Sequence, residues 1–222
     1  MPSKSYINFL HMRVDVLKLI ETHTDYSKNK RGRKNLGHLT RSAVVMLCAA
    51  WERYNEDLLL ESIDSICSEI NDIHELNDGI KNTISLKVKS DKHQLKPIEL
   101  AGFGWKEVWK KYAKEETELL NTPKGNNLRE LFLTYMGILD YTRLWTTNNS
   151  TDIDKFVKDR GDIAHNGNKA SYIQMTKLRK YQDLIVNNVI SIDSNMAIAL
   201  QQMTDAEDLP WTKEYFTDIK NY

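Results

Sequence analysis

Residues 43–51, AVVMLCAAW, decide how this sequence folds. All nine are apolar, so a helix built from them is apolar around its whole circumference and is expected to be buried on every side. Beyond Trp51 the apolar residues continue on one side only, at helical steps of three and four: Tyr54, Leu58, Leu59, Ile63, Ile66 and Ile70. The stretch therefore predicts a long central helix against which other helices pack.

Two further stretches show the same helical spacing. The first precedes the central helix and consists of Ile7, Leu10, Val14, Leu17 and Ile20. The second lies near the end of the chain and consists of Leu178, Tyr181, Ile185, Val189, Ile192, Met196, Leu200 and Met203. Steps of three and four residues keep one helix face apolar over several turns. The sequence predicts an all-α protein, a bundle of five or six helices.

Residues 71–104 interrupt this regularity. Turn-forming residues punctuate them at Asn77-Asp78-Gly79, Pro97, Gly102 and Gly104,. Residues 84–89, ISLKVK, alternate between apolar and polar, which is typical of a short strand or an extended edge,. We therefore expect a loop-rich insertion around residues 71–104 of the bundle.

Length and composition limit the possible functions. The 222 residues fit a single domain over residues 1–222 with a short tail at 205–222,. Lysine plus arginine and aspartate plus glutamate each number 31, so the net charge is zero and nucleic-acid binding would need a local basic patch,. No apolar run approaches the roughly 18 residues of a membrane span, and residues 1–13 are too polar for a secretory signal,. We expect a cytoplasmic protein with no membrane partner and with buried, reduced cysteines.

Residues 159–167, DRGDIAHNG, are the stretch best suited to chemistry. Arg160 and His165 are separated by four residues, and Asn166-Gly167 is a helix-stopping pair,. Histidine moves protons near neutral pH, and the arginine fork binds the charge that develops on phosphorus. RNA supplies its own nucleophile, the 2′-hydroxyl, so such a pair needs no metal and no cofactor. The spacing alone is common, and its context has to decide whether it marks a site.

The helical geometry separates the two side chains. Five residues turn through roughly 500°, which leaves Arg160 and His165 about 140° apart. Either Gly161 lets the helix bend, or a second copy of the chain completes the pair across a two-fold axis. Asp162 lies three residues before His165, where it either holds the imidazole in one tautomer or is a solvated surface acid,.

Two stretches and the long final helix carry a resemblance to a known family. They are residues 41–54, RSAVVMLCAAWERY, and residues 156–167, FVKDRGDIAHNG. In these features, over about residues 40–200, the chain resembles the HEPN superfamily, the higher-eukaryote and prokaryote nucleotide-binding domains. More narrowly, it is similar to the RiboL-PSP-HEPN and MAE-type HEPN-like nucleases.

The resemblance implies an all-α up-and-down bundle, commonly a homodimer. Active members are metal-independent endoribonucleases that leave a 2′,3′-cyclic phosphate and a 5′-hydroxyl, and Arg160 and His165 would be the catalytic pair. Such proteins serve in toxin–antitoxin, anti-phage defence or RNA-processing systems, which implies RNA as substrate and an antitoxin or defence protein as partner. Inactive members usually lack the arginine or the histidine. The alternative is a non-catalytic dimeric adaptor that binds a partner protein or nucleic acid.

The chain departs from the family at two glycines. Gly161 follows the arginine, where a polar asparagine is common. Gly167 stands two residues after the histidine, where some toxin members carry a tyrosine that a partner nucleotidyltransferase modifies. Neutralisation by that modification is therefore not implied here.

Several residues are expected to support the catalytic pair. Glu52 lies in an otherwise apolar helix, where it either lines the active-site cleft or pairs at the dimer seam. Asp162 and Asn166 flank His165. A basic run between the first two helices either holds the RNA backbone or is a solvated loop; it consists of Lys28, Lys30, Arg31, Arg33 and Lys34.

Overall fold

The computed structural model describes residues 1–28, 35–146 and 150–216. Its helices are α1 Lys4–Ser27, α2 Gly37–Glu69, α3 Asp78–Ser90, α4 Gly104–Thr117, α5 Gly125–Met136, α6 Thr151–Asn166 and α7 Met175–Thr204. Short 3-10 turns occur at Ile73–Glu75, Lys96–Leu100, Tyr141–Leu144 and Gly167–Lys169. No strand occurs in the described ranges. The predicted all-α class is confirmed, and the predicted count of five or six helices is too low, because seven are present in this part of the chain.

Helix α2 lies at the centre of the structure. It contacts α1, α4, α5, α6 and α7, and its side chains from Ala43 to Trp51 are mostly buried. Met46 is an exception, 37% exposed, and Ala49 is exposed as well. The expectation that residues 43–51 are buried on every side is therefore wrong for one strip of α2. That strip is a candidate contact surface.

The predicted loop-rich insertion contains a helix. Helix α3, Asp78–Ser90, occupies the middle of residues 71–104. Residues 84–89 belong to this helix, so the strand interpretation of ISLKVK is wrong. Ile80, Ile84 and Val88 are buried at four-residue steps, and α3 contacts α4 and α5. The Asn77 side chain accepts a hydrogen bond from the backbone N–H of Gly79 and caps the helix start,. Six alternating residues are too few to separate a strand period from a helical one once neighbouring helices supply an apolar surface.

The segment after α7 folds back onto the beginning of the chain. The Trp211 indole donates to the backbone oxygen of Asp193 at 3.0 Å, and the Tyr215 hydroxyl donates to the Asp193 carboxylate at 2.9 Å. Ser3, just before α1, donates its hydroxyl to the same carboxylate. Asp193 on α7 therefore joins both ends of the described chain.

Helix α6 contacts α2, α5 and α7 and buries Ile153, Phe156, Val157 and Ile163. These contacts fix the orientation of residues 159–167, and Ala164, His165 and Asn166 remain exposed. Within the described ranges, no helix combines the length and the apolar composition needed to cross a membrane.

Candidate functional site

Both candidate catalytic residues lie on α6. The helix runs from Thr151 to Asn166 and is not interrupted at Gly161. A side chain added at Gly161 would meet nothing within 4 Å, so packing does not force a glycine there. Because the helix continues through this position, Arg160 and His165 keep the angular separation that the sequence predicts.

Arg160 is turned toward α2. Its Nη2 donates a hydrogen bond to Oε2 of Glu52 at 3.3 Å, and its guanidinium lies near the Cys48 thiol, whose pKa it lowers. The side chain of Arg160 is 30% exposed and that of Glu52 is 19% exposed. Burial raises the pKa of Glu52 above its usual value, and the charge of Arg160 opposes that rise. The guanidinium is thus anchored on one face and partly open to solvent on another.

Cys48 is inert at this position. Burial raises the pKa of its thiol to about 12, because the opposing effect of the nearby Arg160 charge is smaller than the effect of burial. Cys48 is therefore a neutral thiol near neutral pH, and a thiol is a weaker nucleophile than a thiolate. The expectation of buried, unpaired cysteines is confirmed for Cys48 and for Cys67.

A second carboxyl, which the sequence analysis did not predict, lies on the same face of α2 as Glu52. Glu56 lies one turn further along α2, and burial raises its pKa to about 7, with Glu52 and Asp57 adding to the rise and Arg53 opposing it. Arg53 bonds to Glu56 at 3.4 Å and to Asp57 at 2.8 Å. The four-residue spacing of Glu52 and Glu56 within an apolar helix was the available signal.

His165 lies in the last turn of α6, with its side chain exposed. Its imidazole makes no hydrogen bond within the described part of the chain. Asn166, also exposed, is the final helical residue, and Gly167 follows with φ +53° and ψ −120°. Since this backbone conformation strongly favours glycine, the helix stop predicted at Asn166-Gly167 is confirmed.

The structure does not join Asp162 to His165. Oδ2 of Asp162 instead accepts a hydrogen bond from the Tyr172 hydroxyl at 2.9 Å. Arg160 and Glu52 are brought together, whereas Asp162, Asn166 and His165 are not bonded to one another.

The comparisons with known proteins decide the family. The RiboL-PSP-HEPN family model matches residues 13–197, which include α2, α6 and most of α7. The chain belongs to the RiboL-PSP-HEPN family. Membership of this HEPN family indicates a nuclease or RNA-related function, and the resemblance seen in the sequence is confirmed. No curated protein and no solved structure matches the chain.

A buried carboxylate next to the candidate catalytic pair holds α6 against α7 in this RiboL-PSP-HEPN chain. Asp159 accepts hydrogen bonds from the Tyr181 hydroxyl and, at 3.3 Å, from the Tyr172 hydroxyl, and it forms an ion pair with Lys177 Nζ. The Lys177 ammonium lies 4.5 Å from the centre of the Tyr172 ring. Sequence reasoning missed this cluster, although Asp159 falls on the apolar face that Phe156 and Ile163 define. The cluster fixes α6 against α7 one residue before Arg160.

The predicted RNA-binding run is only partly described. Lys28 is exposed and pairs with Asp25 at 3.0 Å. Lys30, Arg31, Arg33 and Lys34 lie outside the described residues, so their contact with RNA stays a prediction. Within the described ranges, no three His, Cys, Asp or Glu side chains converge as metal ligands would.

Proposed function

We propose that this RiboL-PSP-HEPN chain is a metal-independent endoribonuclease in which Arg160 and His165 are the catalytic residues. One observation carries the proposal. Helix α6 carries both a partly exposed arginine, Arg160, which is anchored by Glu52 of α2, and an exposed histidine, His165, five residues later. A charged group that is fixed before the substrate arrives stabilises developing charge without reorganising.

The chemistry follows from the two functional groups. His165 takes the proton from the 2′-hydroxyl as the 2′-oxygen attacks phosphorus, and the bond from phosphorus to the 5′-oxygen breaks. The leaving 5′-oxygen takes a proton from the imidazolium or from solvent. The products are a 2′,3′-cyclic phosphate and a 5′-hydroxyl. A guanidinium has five N–H donors, so Arg160 retains donors for the phosphate while it binds Glu52.

A homodimer would bring together the two side chains, Arg160 and His165, that point in different directions on α6. Arg160 faces α2 of its own chain, whereas His165 is exposed at the end of α6, so one protomer does not direct both groups at one phosphate. Two-fold symmetry would bring the arginine of one protomer to the histidine of its partner. Helices α2 and α6 leave short or apolar side chains exposed beside the site, which suits a close contact: Ser42, Met46, Ala49 and Ala164. We infer that this surface is the dimer contact.

We further infer a role in a cytoplasmic toxin–antitoxin or defence system, because related nucleases serve in such systems. The alternative is a non-catalytic adaptor. The presence of both Arg160 and His165 favours the nuclease.

Cleavage of total RNA by the purified protein tests the proposal. Wild-type protein should cleave with EDTA present, and His165→Ala should reduce the rate by roughly 10²–10⁴, the usual contribution of general acid–base catalysis. His93→Ala, which removes another exposed histidine, is the matched control and should cleave like wild type.

Two results would contradict the proposal. Activity that is lost in EDTA and restored by Mg²⁺ or Mn²⁺ would show that the mechanism is wrong. Undiminished cleavage by His165→Ala protein would show that the histidine is not catalytic and would favour the adaptor.

A further inference from the structure

Three connected clefts surround the beginning of α7. The first, of about 720 Å³, lies between the start of α2 and the segment after α6 and is lined by Arg41 and Asn168. The second, of about 440 Å³, shares His23 and Thr176 with the first and extends along α7 past Arg179 and Lys180. The third, of about 620 Å³, shares Thr176 and Lys180 and reaches Tyr172. Neighbouring clefts share lining residues and the second and third meet at Thr176 and Lys180, and we call the three clefts together the α7 groove.

The α7 groove collects cations that lack a carboxylate partner. Elsewhere in the described chain, arginines 53, 129, 143 and 160 each pair with an acid. Arg41 and Arg179 form no ion pair with any described residue, and both line the groove. Lys155 and Lys180 also line the groove, and neither forms an ion pair with a described residue. Since the whole chain has no net charge, this accumulation is local.

Acidic side chains offset only part of this charge. Asp152 lines the third cleft and Asp183 lines the second. Lys177 contributes little net charge because it is bonded to Asp159. Arg41, Arg179, Lys155 and Lys180 exceed Asp152 and Asp183 by two charges, and by one when Asp162, which is bonded to Tyr172, is counted as well. An excess of unpaired arginine and lysine along a groove suits a chain of phosphates.

Tyr172 provides an aromatic surface in the same groove. Its ring is 47% exposed although its hydroxyl is bonded to Asp162 and Asp159. A large exposed aromatic side chain that is held in position at its polar end is suited to stacking on an unpaired base.

The α7 groove begins beside the candidate catalytic histidine. Asn168, in its first cleft, follows His165 by three residues, so the backbone distance between them is at most about 11 Å,. A strand bound in the groove would therefore pass near the end of α6 that carries His165.

We propose that the α7 groove binds a single strand of RNA, with Arg41, Arg179 and Lys180 on its phosphates and Tyr172 against a base. This inference rests on the proposed ribonuclease function and names the surface that brings the substrate to the same site. Unpaired bases are required for stacking, which is why the occupant is single-stranded rather than duplex RNA.

Binding of a fluorescein-labelled oligouridylate to His165→Ala protein, measured by anisotropy over a range of salt concentrations, tests the groove. Adding Arg179→Ser and Lys180→Ser together should weaken binding. The slope of log K against log salt should become shallower by about 1.4, since each single-strand phosphate contact contributes about 0.7. The control replaces Lys111 and Lys114 on α4 with serine, and this pair should leave the slope unchanged.

Tyrosine variants separate stacking from structural support. In the same background, Tyr172→Leu should reduce affinity about tenfold while keeping the salt slope, because it removes the stacking surface and no charge. Tyr172→Phe retains the ring, although it loses the hydroxyl bonds that hold the ring in position, and should lose less affinity than Tyr172→Leu.

The outcomes distinguish the two proposals. An unchanged salt slope in the Arg179/Lys180 variant, absence of RNA binding, or equal affinity and slope for a duplex of the same length would overturn the groove assignment. RNA cleavage by wild-type protein would then still stand as support for the ribonuclease.

Discussion

Arg160 is fixed by Glu52, a residue that is far from it in the sequence. Glu52 and Cys48 lie one turn apart on α2, and α6 places the guanidinium across both. Sequence reasoning recognised Glu52 as a polar residue in an apolar helix and left two roles open for it. The choice between them depends on how α2 and α6 pack, because the two residues are 108 positions apart. The pairing within one chain therefore required the structure.

Asp193 gives stability a specific dependence on pH. Burial raises its pKa to about 6, because the opposing effect of the hydrogen bonds from Ser3 and Tyr215 is smaller than the effect of burial. A carboxyl whose pKa is higher in the folded state binds a proton on folding. Its contribution to stability is complete below the unfolded pKa near 4 and is lost as the pH rises through about 6.

The Asp193→Asn variant should remove that dependence. Between pH values of about 4 and about 7, the free energy of unfolding of wild type should fall relative to the variant by about 2–3 kcal/mol. Urea unfolding of both proteins at the two pH values gives this difference. Asp208→Asn, an exposed position in the tail, is the control and should follow wild type at both pH values. Wild-type and Asp193→Asn stabilities that change in parallel would contradict the prediction.

At the level of elements, α6 is defined by two glycines with different roles. Gly161 has ordinary helical surroundings, whereas Gly167 has positive φ and ends the helix after the exposed histidine. The sequence was sufficient to predict this stop because Asn-Gly is a local signal. It was insufficient for α3, whose helical state depends on apolar surfaces supplied by α4 and α5. The Asp159 cluster was missed for the same reason, since its partners Tyr172 and Tyr181 come from a later segment.

Alanine at each glycine should have opposite effects. Gly167→Ala forces a strained backbone and should lower the free energy of unfolding by about 1–3 kcal/mol. Gly161→Ala meets no neighbour and should raise it by about 0.5–1 kcal/mol, because alanine favours the helix. Chemical denaturation of both variants gives the comparison. Two changes of the same sign would show that Gly161 and Gly167 do not differ in the way the backbone angles indicate.

For the whole molecule, apolar periodicity predicted the all-α bundle and its central helix, and residues 41–54, residues 156–167 and the long final helix together predicted the family. Periodicity could not show that Met46 and Ala49 remain exposed on α2, because it reports which residues are apolar and not which faces are covered. That uncovered strip beside α6 is where we infer the contact with a second protomer. The proposed active site therefore belongs to the dimer and not to one chain.

Mixing two inactive variants tests the shared site most directly. In a dimer of His165→Ala and Arg160→Ala protomers, one site keeps both catalytic groups and the other loses both. Each parent homodimer should be inactive. After subunit exchange at equal concentrations, half of the dimers are mixed and each has one intact site, so RNA cleavage should recover to about a quarter of the wild-type rate. A mixture that remains as inactive as its parents, although exchange is demonstrated, would contradict a site formed by Arg160 of one protomer and His165 of its partner.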